Sequence, residues 1–232
     1  MHDSYPLSGP VPVSATDVET RATFIVKSYQ HLLGAVLGFA ALEVVIFRSG
    51  LAEPIASAML SVSWLAVLGA FIVVSWLASR VAHRAESLGV QYAALVGFVL
   101  AEAILFVPLL YIVQLQVPGG IQSAALVTLI GFLGLTWVAF ATRKDFSFLG
   151  GILKWAMVCA LVLIVAGVIF GFQLGTFFSV AMIGLAGGAI LYDTSNILHH
   201  YPRDRYVAAA LELFASIALM FWYVLRLFLS RD

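Results

Sequence analysis

The chain has 232 residues, of which 62% are hydrophobic and only 10% are charged, and its mean hydropathy is +1.05. Soluble domains have about 45–50% apolar and about 25% charged residues, so a soluble fold could not bury this much apolar surface. The formal net charge is zero, and nothing in the charge balance indicates a nucleic-acid partner. The composition therefore predicts an all-α, polytopic membrane protein with the lipid bilayer as its surroundings.

The first 23 residues are polar and rich in Pro, Ser, Gly and acidic side chains. They lack the apolar core of a cleavable signal peptide, so the first hydrophobic helix would direct membrane insertion. We predict that residues 1–23 form a disordered cytoplasmic tail and that residues 24–232 form one transmembrane domain.

Apolar stretches long enough to cross a bilayer recur from residue 24 to the end of the chain. A hydrocarbon core of about 30 Å needs about 20 helical residues, and short breaks separate the stretches. The fifth and sixth are divided only by Gly171 and Gly175, which are the turn signals there. The seven predicted spans are 24–47, 55–78, 90–115, 121–141, 152–172, 174–197 and 206–229.

Basic residues are distributed unequally between the two sides of a bundle with seven spans. Nine of the 12 Lys and Arg residues fall on the side of the N-terminus, and positive charge near short loops stays cytoplasmic. We expect the N-terminus to be cytoplasmic and the C-terminus to be outside. An even number of spans would destroy this segregation.

Several ionisable side chains fall within the predicted spans, although each costs about 2.5–3.5 kcal/mol at the centre of a helix. Asp193 lies in the inner part of the sixth span and Glu212 in the inner part of the seventh, four residues before Ser216. Arg80 ends the second span on the same side. We predict that these four side chains converge. An Asp193–Arg80 pair that only locks two helices together is the structural alternative.

The carboxylate and hydroxyl oxygens of these side chains indicate a site that binds cations, because Ca²⁺ prefers clustered carboxylate and carbonyl oxygens. Neighbouring carboxylates also make such a site sensitive to protons. Asp193 and Glu212 are the candidate metal ligands. Glu102, near the middle of the third span, is a further candidate for lining an ion pathway. Glu43 lies near the outer end of the first span, where a charged side chain can reach the interface at little cost.

Three segments of the chain resemble the Bax-inhibitor family of membrane proteins, also called the YccA-like or transmembrane BAX inhibitor motif family. They are LGLTWVAFATRKDFSFLGG, ILYDTSNILHHY and RYVAAALELF. The resemblance implies a seven-helix bundle whose last helix is enclosed by the others, in a bacterial inner membrane. It also implies a pH-sensitive Ca²⁺ leak, although some members are linked instead to stress survival and to modulation of membrane proteases.

In the leak picture of the family, a carboxylate in the sixth helix pairs with one in the seventh, and an Arg from the second helix latches onto both. Asp193 matches the first carboxylate and Arg80 the latch, although Arg84 lies close by, whereas Ser216 occupies the position of the second carboxylate. Either Glu212 replaces the missing charge from one turn away, or this chain has lost the paired site.

Two functions therefore remain open. One is a pH-sensitive leak for Ca²⁺ or another cation, with H⁺ and Ca²⁺ as the ions involved. The other is an interaction protein that modulates a stress response, a membrane protease or another membrane protein without conducting ions. We expect no enzyme activity, because neither HExxH nor GxSxG is present, and no cofactor other than Ca²⁺ as a bound or transported ion.

Overall fold

The computed structural model describes residues 11–230, so the first ten residues of the predicted tail lie outside the described range. The described residues form a short 3₁₀ turn, Val13–Ala15, followed by eight α-helices. The helices are α1 (Val18–Arg48), α2 (Ala52–Ser61), α3 (Trp64–Arg84), α4 (Leu88–Gln116), α5 (Gly120–Thr142), α6 (Leu149–Phe170), α7 (Thr176–His199) and α8 (Tyr206–Leu229).

Seven of these helices are long and apolar enough to cross a membrane, and α2 is the exception. The fold is therefore the predicted all-α, polytopic membrane bundle. Because the spans alternate in direction, α1, α4, α6 and α8 begin on one face of the bundle, where α3, α5 and α7 end. This face is called the N-terminal side below, and the other the opposite side.

The predicted second span, 55–78, is wrong because the chain is not one continuous helix there. Helix α2 ends at Ser61 and α3 begins at Trp64, with Val62 in an extended conformation between them. The ten residues of α2 are only about 15 Å long, too short to cross the bilayer. Its Ala52 and Ala56 pack instead against Val107 of α4, so α3 alone makes the second crossing.

The predicted disorder of residues 1–23 is wrong for the part that the structure describes. Helix α1 begins at Val18, capped by the Asp17 side chain on the amide of Thr20. The preceding turn is packed on the protein: Val13 is fully buried and its amide donates to the carbonyl oxygen of Tyr201 at 2.8 Å. Residues 11–17 therefore lie against the α7–α8 connection.

Helix α8 occupies the centre of the bundle, as the family resemblance implies. In its most apolar 18-residue window 67% of the residues are buried, a larger share than in any other span of the described chain. It packs against α1, α3, α4, α5 and α7, and its boundaries match the predicted span. A side chain of α8 can therefore contact different neighbours depending on where it lies around the helix.

Two glycines fix how α6 is connected and packed. Gly171 has a φ of 73° and ends α6, because the left-handed region costs glycine little. It confirms the predicted turn between the fifth and sixth spans. Gly150 lies under the ring of Tyr192, where an added Cβ would come within 2.8 Å of a ring carbon. Helices α6 and α7 can approach closely here because position 150 has no side chain.

Candidate functional site

Asp193 lies in the half of α7 nearer the N-terminal side and is only 8% exposed. The hydroxyl of Ser216, on α8, donates to its Oδ2 atom at 2.5 Å. Ser216 is itself buried, at 7% exposed. The structure thus joins the carboxylate of α7 directly to the position on α8 where the family resemblance implies a second carboxylate. Charge-assisted hydrogen bonds of this kind are short and strong.

Glu212 lies one turn before Ser216 but bonds to a different helix. Its Oε1 atom accepts from the hydroxyl of Ser79, on α3, at 2.5 Å and lies 3.6 Å from Nδ1 of His83. The Glu212 side chain is 30% exposed, so it lies nearer to solvent than Asp193. The structure therefore does not give Glu212 the role of a direct partner of Asp193.

The predicted latch residue Arg80 does not reach the carboxylates. Its guanidinium lies 4.9 Å from the ring centroid of Trp76, both residues are exposed, and no salt bridge joins Arg80 to a carboxylate within residues 11–230. Ser79 and His83 are the polar groups that α3 turns inward, and the prediction missed both. The small residues Ala78 and Ala82, which are buried, are the sequence signal that could have identified this face.

Tyr201 and the N-terminal segment cover the polar groups on the N-terminal side. The Tyr201 hydroxyl lies 3.3 Å from Nε2 of His83, and its backbone carbonyl accepts from Val13. Burial, followed by the negative charge of Glu212, raises the pKa of Tyr201 well above its usual range. Ser14 adds a hydrogen bond to the carbonyl oxygen of His199 at 2.6 Å. Ordered protein therefore covers part of the way from Glu212 to the N-terminal side, although the Glu212 side chain is still 30% exposed.

A second ionic contact ties the α5–α6 loop to the end of α7. Asp145 Oδ2 lies 2.9 Å from Nε2 of His200, and the amide of Phe146 donates to the hydroxyl of Ser195 at 2.8 Å. The amide of Ser147, and after it His200, lowers the pKa of Asp145 to about 2. Asp145 and His200 are both about half exposed, so the contact is accessible to solvent.

The remaining intramembrane carboxylates, Glu102 and Glu43, are both buried, at 5% and 8% exposed. Burial of Glu102 is consistent with its predicted place within the bundle. The interpretation of Glu43 as a side chain that reaches the interface is wrong. Its two carboxylate oxygens are buried and have no hydrogen-bond partner among the described residues. Glu43 is therefore an additional polar group of the interior.

Four further hydroxyls, from α1, α5 and α7, are buried without a hydrogen-bond partner among residues 11–230; they belong to Tyr29, Thr128, Thr136 and Thr194. Unpaired buried polar atoms are uncommon in proteins and frequently mark the positions of ordered water. Within the same residues there is no group of three or more His, Cys, Asp or Glu side chains placed to hold a metal ion. The predicted metal ligands Asp193 and Glu212 thus belong to no preformed metal cage in the described chain.

Comparison with known proteins agrees with this architecture. The family model described as "Inhibitor of apoptosis-promoting Bax1" matches residues 21–232, which include all seven spans except the first three residues of α1. The chain belongs to the Bax-inhibitor family. Its central α8 and the carboxylate in α7 are thus features of a Bax-inhibitor protein in which Ser216 provides the partner of Asp193.

The proteins to which this chain is similar have diverse descriptions. "Modulator of FtsH protease YccA" of Escherichia coli K12 is 35% identical over 108 residues, covering 45% of this chain and 49% of that protein. "Bax inhibitor 1" of Schizosaccharomyces pombe is 33% identical over 141 residues, covering 59% and 48%. "Golgi anti-apoptotic protein" of vaccinia virus (strain Lister) is 30% identical over 142 residues, covering 57% and 55%. The chain thus spans about half the length of these curated relatives.

Proposed function

We propose that this protein is a pH-sensitive leak pathway for Ca²⁺ or another cation, with Asp193 as the group that controls passage. The observation that supports the proposal is the buried Asp193–Ser216 hydrogen bond within the membrane-spanning bundle. Carboxylates at membrane depth are costly and, where they occur, usually belong to ion or proton pathways. The structural alternative, an Asp193–Arg80 lock, lacks support because Arg80 lies against Trp76.

The oxygen atoms around Asp193 suit a cation that binds weakly and moves on. Asp193 and Ser216 provide the deeper group, and Glu212 with Ser79 provides a second group about one turn (about 6 Å) closer to the N-terminal side. Hard cations bind such oxygen ligands, and conduction requires sites from which the ion can leave. Ca²⁺ would therefore pass between two incomplete ligand sets.

The same arrangement provides a physical basis for sensitivity to pH. His83 lies 3.6 Å from Glu212, and histidine is the side-chain type that gains a positive charge as solutions become mildly acidic. A protonated His83 would compete with a cation for the Glu212 carboxylate. Tyr201, which contacts His83, lies beside the way by which an ion would leave on the N-terminal side.

Flux measurements in reconstituted vesicles test this function. Ca²⁺ entry into vesicles that contain an indicator dye should exceed entry into protein-free vesicles, and Asp193→Asn should remove most of the excess. Asp145→Asn is the matched control, because it makes the same chemical change in the exposed α5–α6 loop and should leave flux near the wild-type level. The function is refuted if wild-type flux equals the lipid background or if Asp193→Asn leaves it unchanged.

Modulation of a membrane protease is the second candidate function. It is favoured by the similarity to the E. coli protein described as a modulator of FtsH protease and by the presence of a hydroxyl where a second carboxylate is implied. In this case the Asp193–Ser216 bond would hold α7 and α8 together without any ion passing. The interaction surface would then be a lipid-facing part of the bundle.

Crosslinking in native membranes, followed by identification of the captured proteins, distinguishes the second candidate. A modulator should be recovered with a membrane protease in fixed proportion, and Asp193→Asn should not abolish the complex if the protein still folds. Absence of any partner in fixed proportion, together with strong Ca²⁺ flux, would exclude this function.

The proposed setting is the inner membrane of a bacterium, with the N-terminus in the cytoplasm and the C-terminus outside. A relative described as an inner membrane protein, from E. coli O6:H1, supports the location. The excess of Lys and Arg on the N-terminal side supports the orientation. A reporter fused after Leu229, active only in the periplasm, should therefore be active.

A further inference from the structure

The carboxylate of Glu43 is a polar group that neither proposed function uses. Helix α1 buries one continuous stripe toward the bundle, and its buried members are Phe24, Ser28, Leu32, Ala35 and Glu43. Glu43 is thus on the packed face of α1 rather than facing lipid or solvent. Both of its oxygens are buried and lack a hydrogen-bond partner among the described residues, an arrangement that is costly for a polar group and calls for a ligand.

Glu43 lies one turn after Phe39, which belongs to a set of aromatic rings joining α1, α4 and α8. Phe39 contacts Phe106 with ring centroids 5.1 Å apart and Phe214 at 6.1 Å, and Phe106 stacks on Phe221 at 5.5 Å. Phe98 contacts Phe214 at 6.0 Å. This aromatic cluster is defined by Phe39, Phe98, Phe106, Phe214 and Phe221.

Glu102 adjoins the same aromatic cluster from α4. It lies four residues after Phe98 and four before Phe106, so it shares with them the face of α4 directed at α8. Helices α1 and α4 run in the same direction and Phe39 is level with Phe106. Glu43, four residues after Phe39, and Glu102, four before Phe106, therefore border the aromatic cluster at opposite ends, about 12 Å apart along the helix axes. The observations on burial and on helical position agree in placing both acids at the α1–α4–α8 interface.

This interface is separate from the Asp193 site. Ser216, which bonds Asp193, lies two residues after Phe214 on α8, and two residues turn an α-helix by about 200°. The hydroxyl of Ser216 and the ring of Phe214 therefore lie on opposite sides of the central helix. Glu43 and Glu102 cannot be additional ligands of the Asp193 site without a rearrangement of α8.

We propose that Glu43 is a buried proton-binding site between α1, α4 and α8. A proton fits better than Ca²⁺, because Ca²⁺ takes six to eight oxygen ligands, whereas the surroundings here are aromatic rings. A single proton on a carboxyl oxygen removes the cost of burying an unpaired charge. The described residues also contain no three-membered group of metal-binding side chains.

The other ionisable groups on the elements packed around this interface are placed differently. Arg48 of α1 and Glu53 of α2 are exposed, and Tyr111 of α4 is partly buried. On α8, the Arg226 guanidinium lies against the ring of Tyr223 and donates to the carbonyl of Leu174. Glu212 bonds to Ser79. None of these groups, in the structure described, forms a salt bridge with Glu43.

Infrared spectroscopy of the full chain in lipid tests the site without any measurement of flux. Wild-type protein labelled with [¹³C]glutamate should show, at neutral pH, an isotope-shifted carbonyl band of a protonated carboxylic acid. Glu43→Gln should remove all or about half of that band, and any remainder should be removed by Glu102→Gln, because the two carboxyl groups are separate. Glu53→Gln, the same change at an exposed glutamate of α2, is the matched control and should leave the band unchanged.

The outcomes separate this proposal from the proposed leak. If labelled wild-type protein shows no band of a protonated glutamate, the proposal is overturned even when Glu43→Gln fails to fold. It is also overturned if Glu43→Gln folds and leaves the band intact, or if adding Ca²⁺ converts the band into that of an ionised carboxylate. Loss of Ca²⁺ flux in Asp193→Asn bears on the leak alone.

Discussion

Ser216 provides the most direct test of the contact at the centre of the candidate site. Its hydroxyl is the hydrogen-bond donor to Asp193 Oδ2, at 2.5 Å, and both residues are buried. Ser216→Ala removes the donor and almost no volume, so the change in the free energy of unfolding should report the hydrogen bond rather than a cavity.

The expected change in the free energy of unfolding follows from two general values for hydrogen bonds. A hydrogen bond to a charged group contributes about 1.5–3 kcal/mol in soluble proteins, whereas hydrogen bonds between transmembrane helices average about 0.6 and reach about 1.7 kcal/mol. The Asp193–Ser216 bond is short and fully inside the bundle, so we expect about 1 kcal/mol. This value corresponds to roughly a fivefold change in the unfolding equilibrium.

A double-mutant cycle measures the interaction itself. Ser216→Ala, Asp193→Ala and the double variant are unfolded reversibly in mixed micelles, and the coupling energy is the difference between the change in the free energy of unfolding of the double variant and the sum of the two single changes. Ser28→Ala is the matched control, because Ser28 is also buried but bonds to Phe24 of its own helix. It should show no coupling to Asp193→Ala.

A coupling energy near zero for Ser216 and Asp193 would refute the reasoning, because it would show that the hydrogen bond does not stabilise the packing of α7 on α8. Equal coupling for Ser28 and Ser216 would refute it as well. In that case the energy would reflect a general loss of stability and not a specific contact.

Two further predictions concern the α5–α6 loop and the packing of α6. Gly150→Ala should destabilise the protein by about 1 kcal/mol, since the new Cβ meets a ring of α7 at 2.8 Å, whereas Gly151→Ala, with open space around it, should be neutral or slightly stabilising in thermal unfolding. The pKa of Asp145 is lowered from 3.8 to about 2 by the amide of Ser147 and by His200, so its small stabilising contribution should be complete above about pH 4 and lost as the pH falls through about 2. The difference in unfolding temperature between wild type and Asp145→Asn should shrink over that range, and a difference independent of pH would contradict the assignment.

The number and order of the membrane spans could be predicted because hydropathy along the chain directly reflects the thickness of the bilayer. The predicted span 206–229 coincides with α8, and the divided α6–α7 run was placed correctly by Gly171. The predicted span 55–78 failed because neither Gly nor Pro marks the break at Val62. The prediction of disorder for the N-terminal segment failed because the order of this segment depends on a long-range hydrogen bond from Val13 to Tyr201, which no local sequence pattern reveals.

The depth of the candidate site could be predicted from the sequence, but the rotation of each helix could not. Arg80 and Ser79 are neighbours at nearly the same depth, yet a rotation of about 100° per residue places Ser79 on Glu212 and Arg80 outside. Glu212 and Ser216 were predicted to act on one partner because they share a face. They contact α3 and α7 instead, because the central α8 has neighbours on all sides.

The family resemblance implies a carboxylate where this chain has Ser216, and this difference changes which groups can respond to pH. Two carboxylates can hydrogen-bond to each other only while they share a proton, whereas a serine hydroxyl can donate to Asp193 whether or not the carboxyl carries one. The contact between α7 and α8 should therefore persist across a pH range in which a carboxylate pair would separate. Opening of this protein by pH, as proposed above, would then depend on another group, and His83 beside Glu212 is placed for it.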